Sequence, residues 1–175
     1  TRLLQKEAPI VNTTQDLHFD CTGKTILIVE DEKELREYLI ESFTGTFKKV
    51  YAADNAISAL ETCRKKQPSI IVSDVMMPQM DGFELCRQIK NDIRISHIPV
   101  ILLTARYDQT GITTGYKSGA DSYIPKPFDL AFLKVVVGNI LKNREKIHSQ
   151  YVTVTGSPSL LDLTNGKADE GFMKK

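Results

Sequence analysis

The residues of this chain that could do chemistry stand at the ends of short apolar runs. Thr25-Ile26-Leu27-Ile28-Val29 leads into Glu30-Asp31, Ile70-Ile71-Val72-Ser73 into Asp74, and Pro99-Val100-Ile101-Leu102-Leu103 into Thr104. A shorter run, Ser122-Tyr123-Ile124, is followed almost at once by Lys126. Such runs suit strands buried on both faces of a parallel sheet. Right-handed crossovers bring the ends of parallel strands to one edge, where open α/β sheets bind ligands, so these side chains should converge. Clustered carboxylates raise one another's pKa unless a cation sits among them. A hard divalent ion answers that need, and Mg²⁺ held by one or two carboxylates plus phosphate oxygens fits the residue types. Lys126 adds a compact positive charge and Thr104 a hydroxyl. Together they describe a phosphoryl-transfer site in which a carboxylate, Asp74, can itself be the nucleophile. The ion and Lys126 would stabilise the charged transition state.

The elements that must position these residues alternate between strand and helix. After the first strand, Asp31-Glu32-Lys33-Glu34 has the form of a capping box with Asp31 as N-cap, and Leu35, Leu39 and Phe43 give one apolar face ending at Gly45. Lys49-Val50-Tyr51-Ala52-Ala53 reads as a second strand. Asp54 or Asn55 can cap the next helix, with Ala56, Ala59, Leu60 and Cys63 facing inward and Pro68 ending it. Asp81-Gly82-Phe83-Glu84 offers another capping box before Leu85, Cys86 and Ile89. The span from Tyr107 to Gly119 takes the place of a fourth helix, but Gly111, Thr113, Thr114 and Gly115 weaken it, so a short or mobile helix is expected. Asp129 caps a fifth, with Leu133, Val136, Val137, Ile140 and Leu141 inward and Phe132 and Val135 beside them. Short connections between alternating elements point to parallel β/α units with helices on both faces.

Composition narrows the class. The 175 residues, 41% hydrophobic and 26% charged, suit one globular domain with a proper core. A net charge of +1 supplies no global attraction to nucleic acid or anionic membrane. Cys21, Cys63 and Cys86 lack metal-ligand spacing and fit a reducing cytoplasm. No apolar run approaches a membrane span. Residues 1–23 read as a linker or the remnant of a preceding domain, 24–148 as the domain itself, and 149–175 as a linker toward a following domain. A chain that opens on Thr1 reads as a piece of a longer protein.

Set in order along the chain, these motifs resemble the receiver domain of two-component response regulators. The resemblance rests on Ile28-Val29-Glu30-Asp31, Ser73-Asp74-Val75-Met76-Met77-Pro78-Gln79-Met80-Asp81-Gly82, Leu103-Thr104-Ala105, Gly119-Ala120-Asp121 and Pro125-Lys126-Pro127-Phe128, and covers roughly Lys24 to Ile147. It implies a flavodoxin-like, doubly wound sheet of five parallel strands in the order 2-1-3-4-5. It also implies that Asp74 accepts a phosphoryl group from a histidine kinase, acting in cis or in trans, and is not a turnover enzyme. Asp31 and Asp74 would ligate Mg²⁺, Glu30 would act mainly through water, and the Met76 carbonyl would complete the site. Lys126, with a cis bond to Pro127, would contact the phosphoryl oxygens. Thr104 would move toward them and Tyr123 would turn inward.

Blander roles stand beside these. Asp31 is also an N-cap by spacing, Thr104 a strand-end hydroxyl, and Tyr123 a half-buried aromatic. Glu30 stands where many family members have Asp. His18, His97 and His148 fall outside the constellation, and Asp54, Asp81 and Asp129 are most simply caps. Met76 cannot orient water and Arg106 can shield the phosphate, so a long-lived phosphoryl state is expected. Phosphorylation would change the surface made by the fourth helix, fifth strand and fifth helix, allowing a homodimer or docking. Receivers with linkers on both sides occur in hybrid proteins, between a kinase and a DNA-binding domain that regulates transcription. No recognition helix or basic patch marks this chain for DNA binding itself. The alternatives are a degenerate receiver acting as a scaffold and an aspartate-nucleophile phosphatase. The phosphatase would want an Asp where Met76 stands, and a dinucleotide-binding module lacks its Gly-rich turn.

Overall fold

Strand and helix alternate throughout the computed structural model, which describes residues 20–105 and 109–154. The order is β1 (Thr25–Val29), α1 (Lys33–Phe43), β2 (Lys49–Ala53), α2 (Ala56–Lys66), β3 (Ile70–Asp74), α3 (Gly82–Asn91), β4 (Val100–Thr104), α4 (Gln109–Lys117), β5 (Ser122–Pro125) and α5 (Leu130–Val154). The five strands form one parallel sheet in the order β2-β1-β3-β4-β5, as expected. Register pairs Val29 with Ser73, Asp74 with Leu103, and Thr104 with Pro125, so the polar strand ends share one edge.

Side chains alternate across a strand, and the sheet divides the core accordingly. Leu27, Val29, Ile71 and Leu102 pack with Ala59, Leu60 and Cys63 of α2 and Leu85, Cys86 and Ile89 of α3. Ile26, Ile28, Val72 and Leu103 pack on the other face with Leu39 and Phe43 of α1 and Leu133, Val137 and Leu141 of α5. Every residue of β3 and β4 is buried, which is why both read as unbroken apolar runs.

Caps agree with the sequence at three helices. Asn55, rather than Asp54, caps α2 by accepting from the Ser58 N–H. Asp81 accepts from the Glu84 N–H at 2.8 Å. Asp129 accepts from the Ala131 N–H at 2.7 Å.

The first helix departs from expectation. Glu32, not Asp31, is its N-cap residue, and no side chain caps it. Asp31 is drawn instead into the turn at the sheet edge. Helix α4 spans nine residues, the shortest of the described helices, and Gly119 follows it at φ +83°, a left-handed position that suits glycine. Arg106 lies outside the described residues.

Two boundaries also differ. Cys21, placed by sequence in a linker, is 3% exposed and belongs to the core layer under α5. Helix α5 continues past Ser149, where sequence placed the start of the linker, to Val154. No described helix is long and apolar enough to cross a membrane.

Candidate functional site

The end of β1 turns sharply at Glu30-Asp31 beside the end of β3. The Glu30 N–H still follows the sheet, donating to the Ala53 carbonyl at 3.1 Å. Its side chain is 1% exposed, while Asp31 is exposed and Asp74 buried. One carboxylate oxygen from each of the three lies within 4.8 Å of the others. The convergence expected from strand topology is therefore present.

Lys126, directly after β5, closes the cluster. Its Nζ is 3.1 Å from Glu30 Oε2 and 3.3 Å from Asp74 Oδ2. Its backbone N–H donates to the Thr104 carbonyl at 2.6 Å, and the Lys126–Pro127 bond is cis. Thr104 itself is fully buried at the end of β4. The other oxygen of Asp74, Oδ1, accepts from the Met76 N–H at 3.3 Å, while the Met76 side chain is 55% exposed. At Met76, then, it is the backbone that faces the carboxylate.

Glycine is required where α3 meets this edge. A Cβ on Gly82 would stand 2.3 Å from the Asp74 carbonyl oxygen and 2.8 Å from Val75 Cα. The absence of a side chain lets the Gly82 N–H donate to the Val75 carbonyl at 2.9 Å and seats the helix directly against the Asp74–Val75 backbone.

Tyr123 is half-buried one strand away. Its ring stacks on Phe83 of α3, with centroids 6.2 Å apart and planes at 11°, and it packs against the α2–α3 core layer. Gly115 of α4 covers the ring so closely that a Cβ there would meet Tyr123 Cδ2 at 2.8 Å.

Burial pushes the Glu30 carboxyl up to about 7, and the neighbouring Asp74 charge pushes the same way against the pull of Lys126. Burial opposes the charge on Lys126, but Glu30 and Asp74 outweigh it and hold the ammonium above its ordinary range. Three carboxylates that share one paired ammonium, Lys126, still favour more positive charge. Oxygen donors crowded at this spacing fit a hard divalent ion such as Mg²⁺, with Glu30, Asp31 and Asp74 as the residues to hold it.

Sequence reasoning missed Arg36. Its Nη1 donates to the Glu30 carbonyl at 2.7 Å and to the Asp31 carbonyl at 3.2 Å. A cation one turn into a helix that follows an acidic strand end was the available signal. The role of Asp121 was also missed, although it sits within a quoted motif. It accepts from the Val100 N–H, Lys90 and Arg144, tying α3 and α5 to the start of β4. Burial pushes its carboxyl up, but these partners outweigh burial and hold it below the usual range.

His97 and His148 lie at the opposite edge, lining a cavity of about 760 Å³ beneath the end of α5. No site carboxylate lines it. His18 falls outside the described residues.

Residues 26–137 match the family model for the response regulator receiver domain. The chain is 39% identical over 165 residues to histidine kinase P4 of Formosa agariphila, an alignment covering 94% of this chain and 12% of that kinase. It is 37% identical over 122 residues to the transcriptional regulatory protein AfsQ1 of Streptomyces coelicolor, covering 70% of this chain and 53% of the regulator. The chain thus spans a small part of the first relative and about half of the second. Among solved structures it is similar to the signal receiver domain of a signal transduction histidine kinase from Syntrophus aciditrophicus. That likeness has a TM-score of 0.63 and 36% identity, over 69% of this chain and 92% of that one.

Proposed function

This chain belongs to the response regulator receiver domain family of two-component systems, and from that premise we propose that Asp74 is its phosphoacceptor. The observation that carries the proposal is the pairing of one Lys126 ammonium with both Glu30 and Asp74, the two buried carboxylates of the acidic cluster. An ordinary strand-end carboxylate has no need of such company.

A histidine kinase would supply the phosphoryl group. An Asp74 oxygen forms the new P–O bond as the P–N bond of the phosphohistidine breaks. The electron pair stays on the imidazole nitrogen. Lys126 exchanges its carboxylate partner for a phosphoryl oxygen, and the Met76 N–H keeps Asp74 aimed. Mg²⁺ held by Asp31 and Asp74, with Glu30 acting through water and the Met76 carbonyl completing the shell, would neutralise charge on the phosphoryl oxygens. The chain is then a phosphoacceptor rather than a turnover enzyme.

The acyl phosphate adds about −1.5 to −2 of charge beside Thr104 and Lys126. Thr104 closing on it would free space for Tyr123 and alter the α4–β5–α5 face, where Phe132 and Tyr116 are exposed. That face would serve a homodimer or an output partner. The kinase relative supports a place in a hybrid protein, with connectors on either side of the folded domain. The cytoplasm would be its compartment. The exposed Met76 thioether, unable to orient water, supports a long-lived phosphoryl state.

The test is intact-mass analysis after incubation with Mg²⁺ and acetyl phosphate. A single phosphoryl adduct is expected, and it should vanish in Asp74→Asn. An unmodified native chain would remove the phosphoacceptor role.

A further inference from the structure

We propose that Arg36 is a positioning residue for the acidic cluster, holding Glu30 and Asp31 in ligating geometry through their backbone carbonyls. The inference rests on the metal reading of that cluster. Arg36 stands in the first turns of α1 and is half-buried. One guanidinium nitrogen, Nη1, donates to the carbonyls of both acidic residues, at 2.7 and 3.2 Å.

Something has to hold this turn, because its usual anchor is missing. The Glu32 side chain does not cap helix α1, whose start is held by the Glu32 N–H donating to the Glu30 carboxylate at 3.2 Å and by helical bonds such as Arg36 N–H to the Glu32 carbonyl at 2.9 Å. Glu30 is fixed on the strand side by its N–H to Ala53 and at its carboxylate by Lys126 and the Glu32 N–H. Asp31 is exposed, and the Arg36 contact holds its peptide. By drawing both carbonyls toward α1, Arg36 leaves the two side chains to face Asp74.

The sign of the effect separates positioning from simple charge. A fixed cation beside a divalent-ion site repels the ion, so removing it should tighten binding if Coulomb repulsion were all that mattered. Loss of positioning should weaken binding, and partners that orient metal ligands are typically worth 10–100-fold in affinity.

The probe is Mn²⁺, followed by the electron paramagnetic resonance signal of the free ion, at a temperature where circular dichroism shows each variant folded. Arg36→Ala is expected to bind Mn²⁺ about 10-fold more weakly than the native chain. Arg36→Lys, which keeps the charge but lacks the planar fork, should recover part of that loss. Should the alanine variant not fold, the lysine variant carries the test, and weaker binding than native is again the expected result. Unchanged or tighter binding in the folded variants would overturn the positioning role. A native chain that binds no Mn²⁺ would overturn the metal site, and this role with it.

Discussion

Glu30 and Lys126 stand 96 positions apart in the chain, yet the Lys126 ammonium donates to Glu30 Oε2 across 3.1 Å. The same ammonium reaches Asp74, so one cation balances two acids at the ends of neighbouring strands.

Removing that cation should therefore unbalance the site. In metal-free Lys126→Ala at pH 8, two buried carboxylates lose their partner. Stripping one member of a buried pair costs up to 3–5 kcal/mol, and the partial exposure of Lys126 lowers the expectation to about 2 kcal/mol. Urea unfolding should show this loss, with Mg²⁺ restoring much of it by substituting for the missing charge. A metal-free variant as stable as the native chain would contradict the balance described.

The raised pKa of Glu30 sets a pH dependence. Its folded value of about 7 lies above the ordinary 4.5, so the folded state holds the proton more tightly than the unfolded one. Its stabilising contribution is full below about 4.5 and is lost as pH rises through about 7. The whole excursion is worth on the order of 3 kcal/mol. Metal-free melting temperatures taken from pH 5 to pH 8 should fall more steeply in the native chain than in Glu30→Gln. Mg²⁺ affinity should move the opposite way, strengthening from pH 6 to pH 8 as the carboxyl ionises. Parallel melting curves for the two proteins would refute the assignment.

Gly82→Ala tests the close approach behind Asp74. The new Cβ would overlap the Asp74 carbonyl oxygen, a backbone atom that cannot swing away. Overpacking of this kind costs typically 1–3 kcal/mol, and here the strain falls on the acceptor's own peptide. Chemical denaturation should report a loss within that range, together with slower acetyl phosphate labelling. Native stability and labelling in the variant would show that α3 has room to retreat.

Gly115→Ala should behave differently, because the atoms it meets belong to a side chain that can rotate. Alanine favours the helix by up to about 1 kcal/mol while displacing the Tyr123 ring, so net stability should change little. The ring should leave its stack on Phe83, which ring-proton NMR shifts of Tyr123 and Phe83 would report. Unchanged shifts would mean that α4 moves instead of the tyrosine.

Much of this protein is written locally. The apolar runs of β1, β3 and β4, the Ala56-Ala59-Leu60-Cys63 stripe of α2, and the caps at Asn55, Asp81 and Asp129 follow from periodicity and short-range hydrogen bonding. Once the strands are parallel, handedness brings Glu30, Asp31, Asp74, Thr104 and Lys126 to one edge, so their convergence was legible too. Tertiary structure decided what the local rules left open. Asp31 satisfies the spacing of an N-cap, but the turn gathers it toward Asp74 and leaves α1 without a side-chain cap. Cys21 looks like linker until α5 covers it, and Gly82 is just a position in a capping box until the Asp74 carbonyl is found within a Cβ's reach. Arg36 drew no reading from sequence, because the two carbonyls it binds come before it only in the fold. Periodicity and capping depend on neighbours a few positions away in the chain. Carboxylate protonation, ion pairing and close packing depend on distances of a few ångströms between remote segments, and only the folded sheet sets those.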